Sequence, residues 1–168
     1  GGGMRVFVSP RGQIGNDPAD IGGGLFWPGD GISRPITRVL ASSSSAVFYG
    51  RVRGTRRVAV SHFHDTFIPG PVINGHPAPD PTDSRFRLYA ISEDSTQTQD
   101  FREWPVDLGA PVDGNMTPLF YGSRQMYWVM NDLDSAAMRA RNSCDPLGLE
   151  MRLLLYEPRG YVENADAL

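Results

Sequence analysis

Residues 123–150 read SRQMYWVMNDLDSAAMRARNSCDPLGLE. The apolar run from Met126 to Met130, with Tyr127, Trp128 and Val129 at its centre, is rich in the residue types that fit a pleated, buried surface, and it predicts a strand over residues 125–131. That strand runs into an acidic corner formed by Asn131, Asp132 and Asp134. Asp134 or Ser135 then stands as an N-cap before Ala-Ala-Met-Arg-Ala-Arg, which predicts a helix over residues 134–141. A Pro146-Leu147-Gly148 turn launches a second apolar strand over residues 149–156.

The flanking sequence extends the same pattern. Strands are predicted over residues 5–9, 46–53, 57–63 and 85–92, the second and third joined as a hairpin around Gly54-Thr55. Residues 68–83 form a Pro-rich loop, because prolines cannot supply the backbone donors a sheet interior needs. Residues 101–106 (FREWPV) read as a short extended piece that Pro105 confines to an edge. Residues 12–31 and 107–122 read as loops, and residues 93–100 as a polar connector. The fold class is therefore all-β: a β-sandwich-like or irregular antiparallel β domain with long Gly/Pro-rich loops and one short helix, with residues 1–168 as a single domain.

Composition narrows the function classes. The chain has 168 residues, and its 19 glycines and 14 prolines punctuate aromatic runs instead of forming a low-complexity tract. All 16 basic residues are arginine, so no lysine Schiff base and no phosphate-binding P-loop lysine exist. With a net charge of −3 and arginines interspersed with acids along the sequence, the balance carries no footprint of nucleic-acid binding. Cys144 is the only cysteine, which rules out an internal disulfide. No apolar run reaches the length of a transmembrane helix, and no signal peptide opens the chain.

Several residues are candidates for chemistry. His62 and His64 lie two apart with Asp65 beside them, so on a strand both imidazoles face one side and would share a zinc or iron ion, with His76 or Asp80 in the next loop near enough in sequence to complete the set. The same alternation places them on the face of Val58 and Val60, where packing is the simpler reading. Asn131, Asp132 and Asp134 offer hard oxygen ligands suited to Ca2+. Counted from Asp132, however, the sixth and twelfth positions of an EF-hand loop hold Ala137 and Ser143, where glycine and glutamate are required. Helix capping by Asp134 and turn closure by Asp132 are the competing roles. Glu103, Asp132 and Glu150 are the carboxylates from which a glycosidase pair would be drawn, with no spacing that singles them out. Trp27, Trp104 and Trp128 are candidates for an interaction surface, including a sugar-binding face, against a competing role as core anchors. No Gly-x-Ser-x-Gly nucleophile elbow occurs, and Gly22–Gly24 lack the strand and helix that a dinucleotide-binding turn requires.

Five segments taken in order resemble a known group: GQIG at residues 12–15, FWPG at 26–29, EWPVDLGAP at 103–111, QMYWVMNDLD at 125–134 and DPLGLEMR at 145–152. Together they look like the N-terminal region of large secreted bacterial surface proteins that use type IX secretion and end in a C-terminal sorting domain. His62-Phe63-His64 does not belong to that pattern, and DGNMTP at residues 113–118 is an abbreviated form of its acidic loop. The resemblance implies an exported, cell-surface or extracellular protein with a non-catalytic structural or interaction role in adhesion or assembly; members of the group are mostly of unknown function, so it carries over no catalytic residue. It also implies that the chain continues beyond GYVENADAL (residues 160–168), so that its last strand meets the remainder of the same chain or another subunit. A metal-dependent enzyme built on His62 and His64 is one alternative; a carbohydrate-binding module, or an accessory subunit of a larger complex, is another.

Overall fold

The computed structural model describes residues 5–15, 25–26, 39–41, 44–61 and 66–159. They form antiparallel sheets with few helices. In chain order the strands are β1 (Arg5–Val6), β2 (Leu25–Phe26), β3 (Val39–Ala41), β4 (Val47–Val52), β5 (Thr55–Val60), β6 (Ile68–Pro69), β7 (Val72–Ile73), β8 (His76–Pro77) and β9 (Tyr89–Ser92). After β9 come helix α1 (Gln99–Arg102), strand β10 (Arg124–Asn131), helix α2 (Ser135–Asn142) and strand β11 (Glu150–Glu157). Two single 3-10 turns, Ser84–Phe86 and Val106–Leu108, complete the set.

β10 organises the molecule. It pairs along its whole length with β11, from Arg124↔Glu157 to Asn131↔Glu150. Its other edge is shared: β9 covers Arg124 to Tyr127, and β6 covers Met130 and Asn131. Because side chains alternate across a strand, β10 supplies two separate cores. Tyr127 and Val129 pack on one face with Tyr89, Ile91, Trp104, Leu108 and Phe86. Trp128 and Met130 pack on the other with Ala59, Phe67 and Met138, against which Phe48, Leu147 and Leu153 close. The run of apolar residues without polar alternation is thus the mark of a strand buried on both sides.

The other sheets are small. β1, β2 and β3 form a three-stranded antiparallel sheet, and β4–β5 and β7–β8 are two-stranded ribbons. The predicted hairpin forms between β4 and β5, but its two central residues are Arg53 (φ 50°) and Gly54 (φ 82°), one position earlier than Gly54-Thr55, because Thr55 already pairs with Val52. Both lie in the left-handed region, the primed geometry that matches strand twist.

Three local expectations are corrected. Residues 68–83 are not wholly loop: Asn74-Gly75 (φ 51° and 81°) turns a second hairpin between β7 and β8, and Ile68-Pro69 pairs with the end of β10. Pro69 is tolerated because it sits in a two-residue outer strand, where its missing N–H costs no interior ladder bond. Residues 101–106 are not extended, because the Thr98 hydroxyl accepts from Phe101 N and caps α1 before the chain turns into the second 3-10 turn. Residues 85–92 form a strand only from Tyr89 onward, since Asp83 caps a 3-10 turn ahead of it. α1 therefore joins the predicted helix α2 as a second short helix.

Two buried phenols tie the first core together. Tyr127 donates to Leu108 O at 2.8 Å and Tyr89 to Arg85 O at 3.0 Å. Burial pushes both hydroxyls above the ordinary tyrosine range. The folded state holds these protons more tightly than the unfolded chain does. Their contribution to stability is therefore complete below the normal tyrosine range and lost as pH rises through the raised folded values. In an alkaline titration, the last tyrosinate absorbance step should coincide with loss of near-ultraviolet circular dichroism. Met130→Ala empties a site with no exposed surface and should lower the unfolding free energy by about 2–5 kcal/mol. Met116→Ser, on an exposed turn, should change it by no more than about 0.5 kcal/mol in the same urea titration.

Candidate functional site

The acidic corner at the end of β10 is the densest polar cluster in the described core. Asn131 and Asp132 are both fully buried. Asn131 donates through Nδ2 to Gly70 O at 2.9 Å, and its Oδ1 accepts from Leu133 N at 3.0 Å. One side chain thereby fixes the chain leaving β6 and shapes the turn that follows β10. Asp132 accepts three backbone N–H groups from the approach to β11. Leu147 N lies 2.6 Å from Oδ2, while Gly148 N and Leu149 N lie 3.0 and 2.7 Å from Oδ1. Its own backbone N donates to Leu149 O at 3.2 Å. Asp134 caps α2 by accepting from Ala137 N at 3.0 Å.

Beside this corner lies an open cleft of about 350 Å³ between β5, α2 and the Pro146–Gly148 turn. Arg57 donates from Nη1 to Pro146 O. Arg139 Nε meets Asp145 Oδ1 at 2.6 Å, and Arg57 Nη2 stands 4.0 Å from the other oxygen of Asp145. The hydrogen bond from Arg139 holds the Asp145 carboxyl below the usual carboxylate range. Cys144 exchanges contacts with the backbone of Val58, whose N approaches Sγ at 3.4 Å and whose O lies 3.3 Å from it. The cleft is thus lined by an ion-paired carboxylate, and the thiol is turned to a strand backbone. These contacts join α2 and the turn to β5.

The carboxylates considered for acid–base work have separate structural duties. Glu150 accepts from Val72 N at 2.8 Å and from Arg152 Nε at 2.7 Å. Glu103 pairs with Arg87 at 2.8 Å, alongside Asp100, whose Oδ2 also accepts from Ala90 N at 2.8 Å. Arg87 itself lies 4.0 Å over the Tyr89 ring. In the DGNMTP loop, Asp113 Oδ1 accepts from Asn115 N and Thr117 N at 2.8 and 2.9 Å, closing a tight turn.

Of the residues considered as metal ligands, His62 and His64 lie outside the described residues. Asp132 and Asp134 are neighbours in sequence, but their carboxylates serve a loop and a helix cap respectively. Among the described residues, no group of three or more His, Cys, Asp or Glu side chains is disposed to hold a metal ion. Of the three tryptophans considered for an interaction surface, Trp27 lies outside the described residues. Trp104 and Trp128 are core residues at 6% and 2% exposure, so neither ring offers a face to a sugar. Trp104 Nε1 donates to Pro111 O at 3.0 Å, whereas the Trp128 indole N–H has no acceptor among the described residues. The sequence reading missed Gln125, a buried amide that accepts from Tyr121 N at 3.0 Å and donates to Leu119 O at 2.8 Å. Its signal was available: one long polar residue opening an apolar strand.

No protein-family model, curated protein or solved structure matches the chain.

Asp132→Ala would strand three buried donors and should destabilise the protein by about 3–5 kcal/mol. Asp132→Asn should cost nearly as much, since its amide nitrogen would face a donor. Asp134→Ala should cost about 0.5–2 kcal/mol, as for other lost N-caps. Because the Asp132 oxygens are occupied by backbone donors, added calcium should leave the thermal midpoint unchanged; a calcium-dependent rise that Asp132→Asn abolishes would restore the cation reading.

Proposed function

We propose that the chain is a non-catalytic, sandwich-like interaction domain of an exported bacterial surface protein, engaged in adhesion or assembly by pairing with a further strand along β11. One observation carries this reading. β11 is an eight-residue strand at the end of its sheet, and its outer edge pairs with no strand among the described residues. Unpaired N–H and C=O groups along such an edge are a template for strand addition. Its C-terminal half also carries apolar surface: Leu155 and Tyr156 are 40% and 47% exposed. Tyr156 lies 6.1 Å from the ring of Tyr121, which is itself half-exposed.

Further support comes from the duties of the polar side chains. The acidic corner, the Arg87–Asp100–Glu103 group and Glu150 each complete a backbone or hold two elements together. Placement outside the cell follows from the resemblance of residues 103–111, 125–134 and 145–152 to secreted surface proteins. The partner strand would come from the remainder of a longer chain or from another subunit.

The isolated 168-residue polypeptide should associate in a concentration-dependent way in size-exclusion chromatography with light scattering. Leu155→Lys combined with Tyr156→Lys should reduce that association without loss of β-sheet circular dichroism. A monodisperse monomer that unfolds cooperatively at every concentration would overturn the strand-pairing reading. Export is tested separately: an antibody raised against the exposed Asn74-Gly75 turn should label intact source cells, and labelling only after lysis would refute surface placement.

A further inference from the structure

We propose that the outward face of the β4–β5 ribbon binds an acidic polysaccharide, with Tyr49 lying against a sugar ring and Arg51, Arg53 and Arg56 pairing with carboxylates along the polymer. Residues 51–57, RVRGTRR, hold four of the chain's 16 arginines, and no acid occurs between residues 47 and 60. The scatter of charge along the whole sequence hides this concentration, and the hairpin register assembles it.

Strand alternation divides the ribbon. Phe48 turns inward to the second core, and Arg57, paired with Gly50, turns to Pro146 O. Tyr49 and Arg51 share the other face with their cross-strand partners Val58 and Arg56, and Arg53 stands in the turn. Tyr49 is 68% exposed, and the three arginines are exposed as well. A ring and two guanidinium groups therefore lie on one face of the ribbon. Same-face neighbours on a strand are roughly 7 Å apart, and directly opposed residues about 5 Å apart.

The charges on this face are uncompensated. Among the described residues, Arg51, Arg53 and Arg56 have no ion-pair or hydrogen-bond partner, unlike Arg57, Arg87, Arg139, Arg152 and Arg159, each of which meets an acid. Arg51 stands directly opposite Arg56, a like-charge pairing that weakens a ribbon. An arrangement unfavourable to the fold and favourable to an anion is what a binding surface produces.

Three considerations select the occupant. The arginines call for repeated anionic groups, which they can engage with paired N–H donors. The chain as a whole carries −3, so a polymer as densely charged as nucleic acid would be repelled by the rest of the molecule. A glycan with more widely spaced charges suits a few arginines and one exposed ring. Finally, the turn at the ribbon's tip is charged while Val47 sits at its base, the reverse of what insertion into a bilayer requires. This surface is separate from the β11 edge, so failure of either reading leaves the other standing.

The test uses the full chain in affinity electrophoresis and calorimetry with hyaluronate, whose carboxylates stand on alternate sugars, neutral dextran, a single-stranded oligothymidylate and phosphatidylserine vesicles. Binding to hyaluronate alone, weakening with added salt, is the expected result. Arg51→Thr should weaken it by at least about threefold without lowering the thermal midpoint, because it relieves the Arg51–Arg56 repulsion. Tyr49→Ser should weaken it comparably, with the fold intact. The proposal is overturned by absence of binding to hyaluronate, by binding that both variants retain, or by tighter binding to the oligonucleotide or vesicles.

Discussion

A single buried carboxylate sets the geometry on which the rest depends. Asp132 has no exposed surface and receives three consecutive backbone N–H groups. A charge in that position is sustained only if donors replace the water it has lost. The donors come from the turn that precedes β11, so satisfying the charge fixes where β11 begins. The register of β10 with β11 then follows from Asn131↔Glu150 along the full strand. The neighbouring Asn131 extends the constraint across β10 to Gly70, and Asp134 starts α2. Three residues at one strand end thus join three strands and a helix.

β10 carries the consequence into the core. Its alternate residues belong to two apolar clusters, so a disturbance at its end reaches both. This arrangement also consumes the aromatic residues of the strand. Tyr127 and Trp128 are held within the molecule, and Trp104 packs 5.8 Å from Tyr127. Exposed aromatic and basic side chains lie instead on the β4–β5 ribbon, and β11 has one edge that pairs with no strand among the described residues.

The parts legible in the sequence are those governed by short-range rules. The hairpin near Gly54, the two apolar runs on either side of the acidic corner, and α2 with its Asp134 cap are each signalled by residues within a few positions of one another. Misreadings arose where one local signal outweighed another. The prolines of residues 68–83 obscured Asn74-Gly75, although that dipeptide is itself a strong hairpin signal. Pro105 and the aromatics of FREWPV suggested an extended edge, but the Thr98 cap and the Arg87–Asp100 bond favour a helical turn there. The candidate site was legible only as a cluster. Sequence named Asp132 and Asp134 as ligands or caps, and the partners that decide between those roles lie 3 to 17 residues away.

The sequence by itself determined the class of structure: strands cut by Gly and Pro, one capped helix, a chain without lysine, and an acidic corner between two apolar runs. These follow from side-chain volume, backbone freedom and capping chemistry, which act locally. Only the tertiary structure decided which polar groups face inward and which charges stand together. It turned Asp132 toward backbone donors, buried Trp104 and Trp128, and set Arg51 opposite Arg56 on an exposed ribbon. The physical reason is that burial and electrostatic pairing depend on distance in space, and strand register brings together residues that their order along the chain does not distinguish.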